Sequence, residues 1–178
     1  QEAHDSLLLF DGSLTGNTID TPAPLLQKIL DTASGNGCDV ISFSKKTRLI
    51  AKGGGRILDI LKDQSNGIPI IIPVTKIIDI GQPLRLLGEV YVVRLSRLPI
   101  DFRVDIYSKR DHGQVFADLL KSVYLESGYP RPLVEAHVHS YFNPFDALTY
   151  RSYLAKKGVS TREEFDIRRL LFGIYGGS

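Results

Sequence analysis

The sequence predicts a mixed α/β domain. Three observations carry this: a strand–helix–strand unit at its start, a pair of alternating strands in its middle, and helical periodicity concentrated in its final third. The apolar run Leu7-Leu8-Leu9-Phe10, closed by Asp11-Gly12-Ser13, reads as a short strand buried on both faces. Pro22 and Pro24 then precede Leu25, Leu26, Ile29 and Leu30 at helical spacing, with Gly35 and Gly37 as the stop. Val40, Ile41 and Phe43 make a second buried strand over residues 39–44. Strand, helix, strand in that order predicts parallel strands joined by a right-handed crossover.

The middle of the chain is less regular. Residues 48–62 have helical periodicity in part, interrupted by Gly53-Gly54-Gly55. The glycines do not have the spacing of a phosphate-binding loop, so they read as a flexible connection between helical pieces. Residues 68–74 are apolar but carry Pro69 and Pro73, which predicts an edge strand or a packed loop. Residues 86–95 and 100–107 predict an antiparallel hairpin around residues 96–99. In its second strand Phe102, Val104 and Ile106 share one face, and Asp101, Arg103 and Asp105 the other. From Gln114 onward the pattern is helical: one segment to about Ser127, a second after Tyr129-Pro130 that includes His137, and a third over residues 145–156. Thr161 with Glu164 forms a capping box for a last short helix ending near Gly173. With no repeat, low-complexity tract or linker, residues 1–178 read as a single domain.

Composition narrows the function classes. A net charge of +2 over 178 residues gives no overwhelming basic field, so a nucleic-acid surface must come from local clustering of Lys and Arg. The lone Cys38 can form neither an internal disulfide nor a thiolate metal site. It reads as a buried, inert thiol, in keeping with a reducing, cytoplasmic setting. No run reaches the roughly 18 apolar residues that span a bilayer, so no membrane association is expected. The chain opens at Gln1, without Met, almost directly into a core strand; this leads us to expect that an N-terminal part precedes it.

Asp11 is the strongest single candidate for chemistry. A carboxylate at the C-terminal end of a parallel strand sits where α/β folds place their sites, and its oxygens suit a hard divalent cation. As Asp-Gly-Ser is also ordinary turn chemistry, a turn aspartate fits the same residues. The second cluster is residues 128–139, Gly-Tyr-Pro-Arg-Pro-Leu-Val-Glu-Ala-His-Val-His. On a helix Glu135 and His139 face one way and His137 another, so His137 and His139 cannot share one zinc ion. His137 alone fits either a hydrogen-bonded structural residue or a functional one. Lys45, Lys46 and Arg48, with the hydroxyls of Ser44 and Thr47, have the chemistry to bind phosphate oxygens, and equally that of a solvated basic turn.

In order, these pieces resemble the NurA nuclease family. The match runs through the strand into Asp11-Gly12-Ser13-Leu14, the strand into Ser44-Lys45-x-x-Arg48 and the strands over residues 91–95 and 102–106. It ends with Gly128-Tyr129-Pro130-x-Pro132-Leu133-x-x-Ala136-His137. The resemblance implies a ribonuclease-H-like mixed sheet flanked by helices and a DNA nuclease using Mn2+ or Mg2+ in double-strand break resection. It also implies a homodimer that works with HerA, a hexameric ATPase. By position it makes Asp11 a catalytic metal ligand, Tyr129 and His137 catalytic residues with His137 also a candidate metal ligand, and Lys45, Lys46 and Arg48 DNA-binding. The family has an earlier aspartate and a helical glutamate that have no counterpart here. The resemblance therefore implies that they lie upstream of Gln1, or else that Glu135 or Asp105 substitutes. A non-catalytic relative that binds DNA or docks an ATPase is the alternative.

Overall fold

Leu7–Asp11 (β1) and Asp39–Ser44 (β2) form the expected parallel pair, with Asp11 opposite Phe43, and Ala23–Gly35 (α1) connects them. The structure, a computed structural model, describes residues 3–18, 21–62, 69–140 and 144–158. The chain divides into two units, Gln1–Glu135 and Ala136–Ser178.

The first unit is built on a five-stranded mixed sheet. Its further strands are Ile70–Pro73 (β3), Glu89–Arg94 (β4) and Phe102–Tyr107 (β5), in the order β1-β2-β5-β4-β3. Only the β1–β2 pair is parallel; β2–β5, β4–β5 and β3–β4 are antiparallel. The expected hairpin is therefore β4–β5, and the proline-flanked segment is an edge strand. β1 is the opposite edge, and its apolar residues are half-buried rather than covered on both faces. An apolar run does not reveal whether a strand has one neighbour or two.

Side-chain alternation splits the sheet into two packed faces. On one, Ile41, Phe43, Phe102, Val104 and Ile106 pack against Val115, Phe116 and Leu119 of His112–Ser122 (α2). On the other, Val40 meets Leu26, Leu30 and Ala33 of α1, while Val90 and Val92 meet Ile57 and Leu61 of a short 3-10 helix. The buried stripe of α1 runs through Ala23, Leu26, Leu30 and Ala33, so Leu25 and Ile29 face solvent despite their apolar character. Cys38 is buried, as expected.

The irregular middle differs from its sequence reading. Residues 48–62 do not hold two helical pieces. Ile50–Ala51 pairs with Ile78–Asp79, and the three glycines make a closed turn in which the Ala51 amide donates to the Gly55 carbonyl at 3.0 Å. Helical periodicity there came from core residues of an extended segment and a single 3-10 turn.

Helix α2 begins at His112, where the Asp111 carboxylate caps the Gln114 amide at 3.1 Å, and stops at Ser122 rather than Ser127. The next residues fold into a two-residue hairpin, Leu125–Glu126 (β6) against Tyr129–Pro130 (β7). Its turn residues, Ser127 and Gly128, both have positive φ, +55° and +86°. This is the backbone that a right-twisted hairpin requires, and Gly takes it without strain. Arg131–Ser140 (α3) follows, crossing from the first unit into the second, where Pro144–Lys156 forms α4. The capping box at Thr161 and Glu164 lies outside the described residues. Among the described residues no helix is long and apolar enough to cross a membrane.

Candidate functional site

Three of the singled-out residues meet at one end of the sheet. Asp11 closes β1, and Lys45 follows directly on β2, so the parallel pairing delivers both to the same edge. Tyr129 arrives from the far end of the chain. The β6–β7 hairpin sets its ring among Phe43, at 5.8 Å between centroids, and Phe102, at 5.4 Å. Its phenol then donates to Asp11 Oδ1 at 2.8 Å. The Tyr129 residue is 6% exposed, so an apolar cluster fixes the ring and leaves the hydroxyl one direction to point. Burial first, and the adjacent Asp11 carboxylate second, push the Tyr129 phenol well above the usual tyrosine range. It remains a donor at any ordinary pH.

Lys45 closes the group. Its Nζ lies 3.6 Å from Asp11 Oδ2 and 4.4 Å from the centre of the Tyr129 ring. One ammonium thus faces a carboxylate and an aromatic face together, both of which attract a cation. Sequence reasoning placed Lys45 among phosphate contacts and missed its pairing with Asp11. The signal was present: in a parallel pair, residues just past the two C-terminal ends are neighbours.

The loops at this edge are fastened from behind. Gly12 has φ +123°, which favours glycine; its amide donates to the Phe43 carbonyl at 2.8 Å, and the Ser44 hydroxyl donates to its carbonyl. The Leu14 amide donates to Asp105 Oδ2 at 2.8 Å. Arg103 grips both oxygens of that carboxylate at 2.6 Å and donates to the Thr15 hydroxyl at 2.7 Å. With side chains 4% and 1% exposed, Arg103 and Asp105 are a buried pair within the sheet's second face. Asp105 is therefore committed to support, not placed as the substitute ligand that the resemblance allowed. Glu135 is exposed and pairs with Arg131 at 3.2 Å. The Ser44 hydroxyl, expected to face phosphate, is likewise occupied by the Gly12 carbonyl, while Thr47 accepts from the Leu49 amide at 3.2 Å.

Beside Asp11 the basic segment opens into a depression of about 770 Å3, lined by Lys45, Lys46, Arg48 and Arg56 with Ile50 and Leu58. Arg56 was not anticipated; the closed glycine turn and its bridge to Ile50 bring it to this wall. Asp59, which also lines it, is paired with Lys62 at 2.9 Å. His137 belongs to the second unit and is exposed on α3, as is His139. The site described above is built from the first unit alone.

Among the described residues, no group of three or more His, Cys, Asp and Glu side chains is arranged to hold a metal ion. No family model, curated protein or solved structure matches the chain.

Proposed function

We propose that this chain is a divalent-metal-dependent DNA nuclease, similar to the NurA family and ribonuclease-H-like in its sheet, acting on DNA ends in double-strand break repair. One observation carries the reading: Asp11, Tyr129 and Lys45 converge at the C-terminal ends of the parallel strands, beside a depression walled by four cations. Ligands of open α/β sheets settle at that end, and phosphate oxygens are met by ammonium and guanidinium groups.

Mn2+ or Mg2+ is the cofactor that the resemblance implies. Held by carboxylates, such an ion activates water and offsets charge on a phosphodiester in hydrolysis. Asp11 has suitable oxygens, but they face Tyr129 and Lys45, and the described residues form no group of three or more His, Cys, Asp and Glu side chains around a metal position. These donors do not amount to a cage for such an ion. The chain's own residues have definite tasks. Lys45, Lys46, Arg48 and Arg56 hold backbone phosphates, Tyr129 positions the Asp11 carboxylate, and His137 is a candidate ligand or proton donor from the second unit. A HerA-type hexameric ATPase and a second copy of the chain are partners under the same proposal.

The test is degradation of end-labelled linear DNA in Mn2+ by the protein and by Asp11→Ala. Shortening by the first and not by the second, with unchanged circular dichroism, is the expected result; equal cleavage removes Asp11 from the mechanism. The second reading, a non-catalytic module that binds DNA or docks an ATPase, is favoured by the Asp11–Lys45 ion pair. It predicts DNA or ATPase binding without cleavage by either protein. In both readings log affinity for DNA falls with log salt, and neutralising any one of the four cations reduces that slope by about one. A slope unchanged in all four variants would sink the phosphate-binding face.

A further inference from the structure

We infer that the basic depression is a phosphomonoester site, which under the proposed function receives the terminal phosphate of a DNA end in preference to the diesters along a strand. It rests on that function in taking this face as the one that meets DNA. Of the four cations there, the side chains of Lys46, Arg48 and Arg56 make no hydrogen bond or ion pair among the described residues. Lys45 shares its charge with Asp11, and Asp59 is paired with Lys62. Three like charges around one space of about 770 Å3 repel one another until an anion enters.

The core sets where these charges stand. Arg48 and Arg56 each precede a buried residue, Leu49 and Ile57, and the Ile57 amide donates to the Leu49 carbonyl at 3.3 Å. The two segments that carry the guanidinium groups are thus joined side by side, and such groups suit the oxygens of a phosphate. None of the residues lining the depression is aromatic, so a base finds no ring to stack on and recognition falls on phosphate. A phosphodiester carries one negative charge, which one cation matches. A phosphomonoester at neutral pH carries nearly two and offers three strong acceptor oxygens. Three unpaired cations around one concave space match the monoester.

The experiment measures fluorescence anisotropy in EDTA with a hairpin DNA whose single blunt end carries a 5′-phosphate, a 3′-phosphate or hydroxyls alone. One of the phosphorylated ends is expected to bind about tenfold tighter than the hydroxyl end. Lys46→Gln, Arg48→Gln and Arg56→Gln should each reduce that ratio. Lys121→Gln on α2, outside the depression, should leave it unchanged. Circular dichroism shows which variants are folded, and any one of the three that is folded carries the test. A ratio near one, a ratio that survives in all three variants, or an equal fall in Lys121→Gln overturns the inference. A ratio near one with both DNAs weakened by the three variants overturns it while leaving the DNA-binding face standing. Phenyl phosphate and dimethyl phosphate, titrated against the amide signals of Arg48 and Arg56, separate a DNA end from a free phosphomonoester. Shifts with phenyl phosphate alone, and no binding of any DNA, support the monoester site and overturn the DNA reading instead.

Discussion

Tyr129 shows how one side chain serves packing and polarity at once. Its ring belongs to the same cluster as Phe43 and Phe102, while its hydroxyl reaches a carboxylate that is 40% exposed. The two contributions separate by substitution. Tyr129→Phe keeps the ring and removes one hydrogen bond to a group that water can re-solvate, so a loss of about 1 kcal/mol or less is expected. Tyr129→Ala empties an aromatic site in the core and is expected to cost about 3–5 kcal/mol. Urea denaturation of both variants checks the pair. Equal losses would mean that the ring is not packed as described.

At the scale of elements, strand β5 does more than fill the sheet. One face gives Phe102, Val104 and Ile106 to the core, and the other carries the Arg103–Asp105 pair that holds the Leu14 amide and the Thr15 hydroxyl. A buried pair of this kind is weak evidence for stability, but leaving one member alone strands a charge. Arg103→Met or Asp105→Asn alone is therefore expected to destabilise by about 3–5 kcal/mol. The joint replacement Arg103→Met with Asp105→Asn should cost less than the sum of the two single changes. A double-mutant cycle in denaturant measures this, and strict additivity would show the two side chains to be uncoupled. Because the pair fastens the loop after Asp11, the proposed function predicts that the single variants also weaken DNA binding.

Two buried phenols set a limit for the whole molecule at high pH. Burial, with Glu89 adding to it, pushes Tyr91 up to about 12, and burial with Asp11 raises Tyr129 further. Below about pH 10 the phenols keep their protons in folded and unfolded chains alike, and their contribution is constant. Above that pH the unfolded chain ionises first, so stability falls as pH climbs toward the raised folded values. Denaturation midpoints between about pH 9 and 11.5 should decline, and decline less in Tyr91→Phe and Tyr129→Phe. Parallel curves for all three proteins would contradict this assignment. The molecule as a whole is close to neutral at +2, so under the proposed function attraction to DNA rests on local clustering of the kind that Lys45, Lys46, Arg48 and Arg56 make.

The sequence by itself determined the mixed α/β class, the parallel β1–α1–β2 start, the β4–β5 hairpin and the place of Asp11 at a strand end. These follow from periodicity and turn residues, which are local. It also marked Tyr129, though not for the reason that holds it: the apolar ring environment comes from β2 and β5, distant in the chain. Tertiary structure alone decided that β1 is an edge, that the glycine turn is closed and carries Arg56 to the basic wall, and that Arg103 and Asp105 lie inward. It likewise decided that Lys45 sits on Asp11. Alternation along a strand says which side chains share a face but not what covers that face. A charge beside an acid is visible only once two strands have been aligned.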